Sequence, residues 1–209
     1  IRLGKVLLLQ PRRAAARLIA RRIAMEIGCS VGETVGYHIR FDRRISPQSQ
    51  LIVLTEGMLL RWMQSDPFLE DVSVVILDEF HERSLEQDLM LGMLRELQQL
   101  REEEHPLKIV LMSATLDPQP IISYFDKPCP VVSLQGRRFP ISFSYDRYLD
   151  QAPLALRCAQ RIREEIRAWK QGDILVFLPG VYEIEETIRN LEDITAFQIL
   201  PLHGRLSIE

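Results

Sequence analysis

Three side chains with reactive chemistry stand together at Asp78-Glu79-Phe80-His81, and four aliphatic residues, Val74 to Leu77, run straight into them. Two carboxylates and an imidazole in one place are costly unless they handle a cation, a phosphate or a proton. One acid of such a pair can hold a hydrated divalent ion while its neighbour orients and deprotonates an attacking water. The bland alternative is an exposed strand-to-helix turn whose acids cap the next helix.

An unbroken apolar run predicts a strand buried on both faces, as in a parallel sheet. The acids then stand just past its carboxyl end, the rim where open α/β sheets bind ligands. The same arrangement recurs along the chain. Lys5–Gln10 ends in Gln10-Pro11-Arg12-Arg13, and Leu51–Leu54 ends in Thr55-Glu56-Gly57. Lys108–Met112 ends in Ser113-Ala114-Thr115, and Ile174–Leu178 ends in Pro179-Gly180. In a parallel sheet such ends share one edge. That edge offers arginines, hydroxyls, two acids and an imidazole, which suits a phosphate-rich ligand with a divalent cation.

The connecting elements follow from periodicity and punctuation. Pro11 to Gly28 reads as a helix with Pro in its first turn and Gly past its end. Its apolar stripe is Ala15, Ile19, Ile23 and Ile27, with Arg12, Arg13, Arg17, Arg21 and Arg22 on the other side. Arginine at a helix N-terminus opposes the helix dipole, so Arg12 and Arg13 call for an anion such as a backbone phosphate. A solvated basic face is the simpler account of the same residues. Val35–Phe41 alternates as a strand, and Arg43 and Arg44 follow in a polar loop. Thr55 suits the N-cap of a short helix reaching Gln64, and its hydroxyl suits a phosphate equally. Ser84 caps a helix over Leu85–Leu100, with Leu85, Leu89, Met93 and Leu97 facing inward. A short helix is expected over Pro120–Phe125, and strands over Val131–Leu134 and Ile141–Tyr145.

From Asp146 the pattern restarts. A helix over Leu154–Lys170 presents Ala155, Ala159, Ile162, Ile166 and Trp169. A second, after Gly180, presents Val181, Ile184, Ile188 and Leu191, and Phe197–Leu200 reads as a strand. The alternation predicts an α/β fold: a parallel sheet with helices on both faces. Residues 1–135 form most of one domain, 136–153 a linker, and 154–209 the opening of a second.

Composition narrows the setting. No apolar run approaches transmembrane length and no signal-peptide pattern opens the chain, so a membrane is not an expected partner. Cys29, Cys129 and Cys158 are odd in number and widely spaced, which points to reduced thiols in the cytoplasm rather than a disulfide framework. The net charge of −3 hides an asymmetry: residues 1–44 carry ten Lys/Arg against three Asp/Glu, and the remainder sixteen against twenty-six. A basic opening segment on an acidic body suggests one local surface for an anionic partner.

The order and spacing of the rim motifs resemble the DEAH/RHA group of superfamily 2 helicases, most closely the bacterial HrpB-type branch. Gln10-Pro11-Arg12-Arg13 resembles motif Ia, and Thr55-Glu56-Gly57 motif Ib. Asp78-Glu79-Phe80-His81, extended by Glu82-Arg83-Ser84, resembles motif II, and Ser113-Ala114-Thr115 motif III. Phe177-Leu178-Pro179-Gly180 resembles motif IV, and Pro201-Leu202-His203-Gly204 the segment after it. Phe80 stands where the family name has Ala, which favours the HrpB-type branch.

The resemblance implies a RecA-like core of the P-loop NTPase superfamily that uses ATP and Mg²⁺ to step along single-stranded RNA or DNA, typically 3′ to 5′, with RNA ahead of DNA. Asp78 is then expected to bind Mg²⁺ through water, and Glu79 to act as general base for the hydrolytic water. His81 is expected to link the nucleotide site to the second domain, and Ser113 and Thr115 to couple hydrolysis to domain movement. Arg12, Arg13 and Thr55 are expected on the strand's backbone, with Pro179 and Gly180 touching the same strand from the second domain. Such contacts position a strand without reading its sequence.

One part of the family pattern is missing. The phosphate-binding loop needs Gly-x-x-x-x-Gly-Lys-Ser/Thr. The only Gly-Lys here, Gly4-Lys5, is followed by Val6. The expectation is that this loop lies upstream of Ile1 and the arginine finger beyond Glu209, so that the chain alone does not hydrolyse ATP at a useful rate. Two rival readings remain: a nucleic-acid platform without chemistry, and a metal-dependent phosphoesterase. The first leaves Glu79 and His81 without purpose. The second needs further His or Asp at the strand ends, whereas His38, His105 and His203 lie in unrelated contexts.

Overall fold

A computed structural model describes residues 4–101, 105–115, 117–125, 128–134, 139–145, 152–168, 172–204 and 206. The chain divides into two compact units, Ile1–Gln135 and Gly136–Glu209.

The first unit is built on a six-stranded sheet. Its strands are β1 (Lys5–Gln10), β2 (Val35–Ile39), β3 (Asp42–Arg44), β4 (Leu51–Thr55), β5 (Val72–Leu77) and β6 (Lys108–Leu111). Their order across the sheet is β3-β2-β4-β1-β5-β6. All neighbouring pairs are parallel except β2 with β3. The helices of this unit are α1 (Arg13–Glu26), α2 (Glu56–Ser65), α3 (Leu85–Leu100) and α4 (Gln119–Tyr124).

The period-two alternation of the central strands sorts the core into two layers. Leu7 and Leu9 of β1, with Ile52, Leu54, Val75 and Leu77, meet α2 and α3 on one face. Leu8, with Val35, Tyr37, Ile39 and Val53, meets α1 on the other. Adjacent strands β1 and β5 are therefore followed by helices on opposite faces. In a doubly wound sheet the crevice for a ligand opens at that place, past the carboxyl ends of the two strands.

Several expectations are corrected. The inner stripe of α1 is Ala16, Ala20 and Ala24, with Ile19 and Ile23 flanking it and Ile27 exposed. Small side chains let the helix lie close to the sheet, while the isoleucines wedge its sides. The inner face of α3 is Gln87, Met90, Leu91, Leu94 and Leu97, and Leu85 and Leu89 are exposed. Asp42–Arg44 is a strand rather than a loop: it pairs antiparallel with β2, Tyr37 opposite Arg44. Gly36 permits this return, because a Cβ there would collide with the Arg44 carbonyl and Ile45. β6 is an edge strand with Lys108 and Val110 exposed, not a buried one.

Val131–Leu134 and Ile141–Tyr145 form no strand, and their large apolar side chains are exposed. The same holds in the second unit for Ile174–Leu178 and Phe197–Leu200, which lie outside any ladder among the described residues. An apolar run becomes a strand only when a neighbour takes up its backbone hydrogen bonds. What the second unit does show is the packing of α5 (Leu154–Ala168) with α6 (Val181–Arg189). Ala155, Ala159, Thr187 and Leu191 are buried there, and Arg163 reaches the Asn190 carbonyl at 2.7 Å. Trp169 and Lys170 lie outside the described residues.

Candidate active site and nucleic-acid face

Sheet register brings four of the rim motifs to one level. Gln10 pairs with Thr55, Leu9 with Leu77, and Leu77 with Leu111. The residues just past β1, β4, β5 and β6 therefore line a single edge of the first unit. Pro179 and Gly180 belong to the second unit, where Gly180 is the N-cap residue of α6.

The acids sit at the centre of that edge. The Asp78 amide donates to the Leu9 carbonyl at 3.2 Å, so the backbone continues the β5 ladder for one residue past the strand. Its carboxylate is held at both oxygens. Gln10 Nε2 donates to Oδ2 at 2.6 Å, and the Glu79 amide donates to Oδ1 at 2.8 Å. Gln10 is itself buried. A buried donor with few rotamers available fixes the carboxylate plane better than a surface side chain could.

Past Asp78 the chain turns sharply. Glu79 lies in the left-handed region at φ 52°, uncommon for a residue other than glycine. The turn sends Glu79 outward, and a 3₁₀ turn over Phe80–Glu82 follows. Phe80 points the other way, into the core, where it is 1% exposed. The Phe80 amide donates to the Met112 carbonyl at 3.0 Å, and the Met112 amide to the Leu77 carbonyl at 2.8 Å. These bonds lock the acid loop to the end of β6, next to Ser113 and Thr115, which are both exposed. His81 Nε2 lies 3.5 Å from Glu79 Oε2. Its Nδ1 is buried and meets no hydrogen-bonding partner among the described residues.

Asp78 and Glu79 fit a hydrated divalent ion carried by a nucleotide. One carboxylate is pre-aimed, the other is half exposed beside it, and each carboxylate oxygen keeps a lone pair beyond its present bond. No group of three or more His, Cys, Asp or Glu side chains is placed to hold a metal directly among the described residues. Water and phosphate oxygens must then complete the coordination, as suits Mg²⁺.

The β2–β4–β1 half of the edge has a different character. Thr55 occupies the N-cap position of α2 but makes no capping hydrogen bond. Arg13 is exposed at the start of α1. Arg12 pairs with Glu82 at 3.0 Å, so the anion opposite it is a carboxylate of the acid loop. An exposed pair of this kind is worth about 0–1 kcal/mol, little enough for a phosphate to displace. Arg17, expected on the solvated face, is partly buried instead. Its guanidinium and the Tyr37 hydroxyl both donate to Asp42 Oδ2, at 2.8 and 2.9 Å.

That triad braces the β2–β3 hairpin, whose tip escaped the sequence reading. Phe41 sits at φ 70° and is 89% exposed, with the Arg40 guanidinium 4.7 Å from its ring centre. Gln87, and the supporting role of Gln10 within its rim motif, were missed too, because no spacing marks a supporting glutamine. The tip had one available signal: an aromatic beside an arginine in a turn, where a polar residue or glycine is usual.

Comparison with known proteins shows the family and the fold. The DEAD/DEAH box helicase family matches residues 2–122. The ATP-dependent RNA helicase HrpB of Escherichia coli (strain K12) is 42% identical over 98% of this chain and 25% of its own length. The ATP-dependent RNA helicase HrpA of Borreliella burgdorferi is 38% identical over 100% of this chain and 25% of its own. A crystal structure of the Escherichia coli DEAH/RHA helicase HrpB superposes with a TM-score of 0.84 at 39% identity, covering 98% of this chain and 26% of that one. The chain thus spans about a quarter of the length of the relatives it matches. With its RecA-like sheet and the acids at the end of β5, this chain belongs to the DEAD/DEAH box helicases.

Proposed function

We propose that the chain is the part of an ATP-dependent RNA helicase that carries the hydrolytic acids and one side of the strand path, coupling hydrolysis to single-strand translocation. The observation that carries this reading is the division of one sheet edge. Arginines, a hydroxyl and an exposed aromatic occupy the β2–β4–β1 half, and the acids occupy the β1–β5–β6 half. Two ligands that must communicate are thereby served from adjoining strands.

In this reading Asp78, aimed by Gln10, holds the hydration shell of Mg²⁺. The ion, when bound, neutralises charge on the terminal phosphates of ATP. Glu79, held outward by its left-handed backbone, orients the attacking water and accepts its proton. His81, whose Nε2 lies beside Glu79, is assigned the signal from the nucleotide site to the second domain. Ser113 and Thr115 stand where the Met112 bonds transmit movement of the acid loop. Arg12, Arg13 and Thr55 touch the backbone of the strand, Arg40 and Phe41 add a cation and a stacking face, and Pro179 and Gly180 are assigned to the same strand. RNA is the favoured strand, because HrpB of Escherichia coli and HrpA of Borreliella burgdorferi are named RNA helicases.

The domain boundaries that go with this reading are residues 1–135, a linker over 136–153, and the start of the second domain at 154. The chain's own ATP turnover is expected to be negligible, since no phosphate-binding loop lies within it. The cytoplasm is the expected setting, where the three cysteines stay as thiols.

The testing experiment is the salt dependence of single-stranded RNA binding, with and without Mg²⁺-ATP, in the protein extended through the phosphate-binding loop and the arginine-finger motif. A helicase changes its strand affinity with nucleotide. An affinity indifferent to nucleotide, with an unchanged salt slope, supports the passive platform instead.

A further inference from the structure

The two halves of the edge are joined below the surface by a carboxyl group that no step above employs. Glu56, in motif Ib, opens α2 directly after β4 and is 7% exposed. Gln87, in the first turn of α3 after β5, is 1% exposed. The Gln87 side chain and Ser84 are the polar neighbours that act on the Glu56 carboxyl. Gln87 Nε2 also donates to the backbone carbonyl of Asp78 at 3.3 Å. Each side chain keeps one buried oxygen that meets no donor among the described residues: Oε1 of Glu56 and Oε1 of Gln87.

A single proton resolves both vacancies. We infer that Glu56 is a positioning residue that carries a proton and forms a cyclic carboxyl–amide pair with Gln87, thereby tying the strand-contacting turn at Thr55 to the Asp78 backbone. In the pair, Gln87 Nε2 donates to one Glu56 oxygen and protonated Oε1 of Glu56 donates to Gln87 Oε1. The second hydrogen of Nε2 stays on the Asp78 carbonyl. Every polar atom of the two side chains is then matched, as buried polar groups require.

The surroundings favour the neutral form. Burial pushes the Glu56 carboxyl above the usual carboxylate range, and the Glu86 and Glu82 carboxylates push the same way, against the hydrogen bonds from Gln87 and Ser84. No cation is among the groups acting on it. The positive end of α2 pulls toward the charged form, but burial without a counter-ion outweighs it. The consequence for the motor is mechanical. A strand that shifts Thr55 moves Glu56, and through Gln87 it moves the residue that aims the Mg²⁺ shell.

The role in coupling rests on the helicase reading; the proton does not. Two arms keep them apart. The first follows the side-chain carboxyl carbons of ¹³C-labelled glutamate by NMR as pH is raised, with Glu56→Gln to assign the signal. The inference expects the Glu56 signal to titrate above the other glutamates. Titration in the ordinary carboxylate range overturns it.

The second arm measures RNA-stimulated ATP turnover and RNA affinity of the extended protein. Glu56→Gln, whose amide repeats the hydrogen-bond pattern, is expected to keep stimulation. Glu56→Ala and Gln87→Ala are expected to lose about tenfold of it, the equivalent of one hydrogen bond, with RNA affinity little changed. A fall in unstimulated turnover and melting temperature in step with stimulation shows a merely structural role and overturns the coupling. Absence of any turnover in the unmutated protein sinks the helicase reading and with it the coupling, while the NMR result still decides the proton.

Discussion

Gln10 offers the sharpest perturbation of the acid site. Its amide, buried at 2% exposure, is the side-chain donor that holds Asp78 Oδ2 at 2.6 Å. Gln10→Leu keeps most of the volume and removes that donor. The bond ends on a charged acceptor, so its loss is expected to cost about 1.5–3 kcal/mol. Asp78 then keeps only the Glu79 amide on Oδ1, and its plane is free to turn about that bond. Urea unfolding followed by circular dichroism should show a lower midpoint with an unchanged slope. The double cycle with Asp78→Ala should return most of the loss as coupling between the two residues. In the extended protein, the Mg²⁺ concentration for half-maximal turnover should rise about tenfold, since each 1.4 kcal/mol is a factor of ten. If Gln10→Leu is as stable as the parent and its Mg²⁺ dependence is unchanged, Gln10 does not aim Asp78.

Other expectations follow from packing and protonation. Phe80→Ala removes a ring that is 1% exposed, and should destabilise the first unit by about 3–5 kcal/mol in chemical denaturation. Arg101 Nη1 and Nη2 hold the carbonyls of Phe68, Leu69 and Val72 at the start of β5, so Arg101→Met should cost about 2 kcal/mol and speed amide exchange there. The Trp62 indole donates to His38 Nδ1 at 2.9 Å, and burial, with Arg43 and Arg61 nearby, holds the His38 pKa below the usual histidine range. The unfolded imidazole takes up its proton first as pH falls, so this contribution is complete above the unfolded pKa and is lost as pH falls through the lower folded value. Thermal melts across that range should show the decline, and His38→Phe should lack it. Asp42→Ala unties Arg17 and Tyr37 from the hairpin, and should weaken RNA binding while leaving its salt slope nearly unchanged.

What could be read from the sequence was whatever carries its own signal. Val74 to Leu77 announces a central strand, and the polar residues after it must emerge at the rim whatever the neighbours do. Which apolar stripe of α3 faces inward was harder. Leu85, Leu89, Met93 and Leu97 share one spacing and Met90, Leu94 and Leu97 another, and only the position of the sheet chooses between them. Asp42–Arg44 carries no apolar pattern, because its pairing with β2 is a matter of backbone bonds and of Gly36 making room. Ile174–Leu178 shows the opposite failure: it has the composition of a buried strand and lacks a ladder partner among the described residues. Gln10 and Glu56 stood within their rim motifs without a role, and Gln87 in none of them, for a third reason. A supporting polar residue is defined by what lies across a strand from it, and no local spacing records that.

The central claim is that the acid loop is the hydrolytic centre of a nucleic-acid motor. ATP turnover of the extended protein, measured with and without single-stranded RNA beside Glu79→Gln, tests it most directly. Turnover is expected to be stimulated by RNA and abolished by Glu79→Gln while RNA binding persists. RNA binding without turnover, or turnover that survives Glu79→Gln, would contradict it.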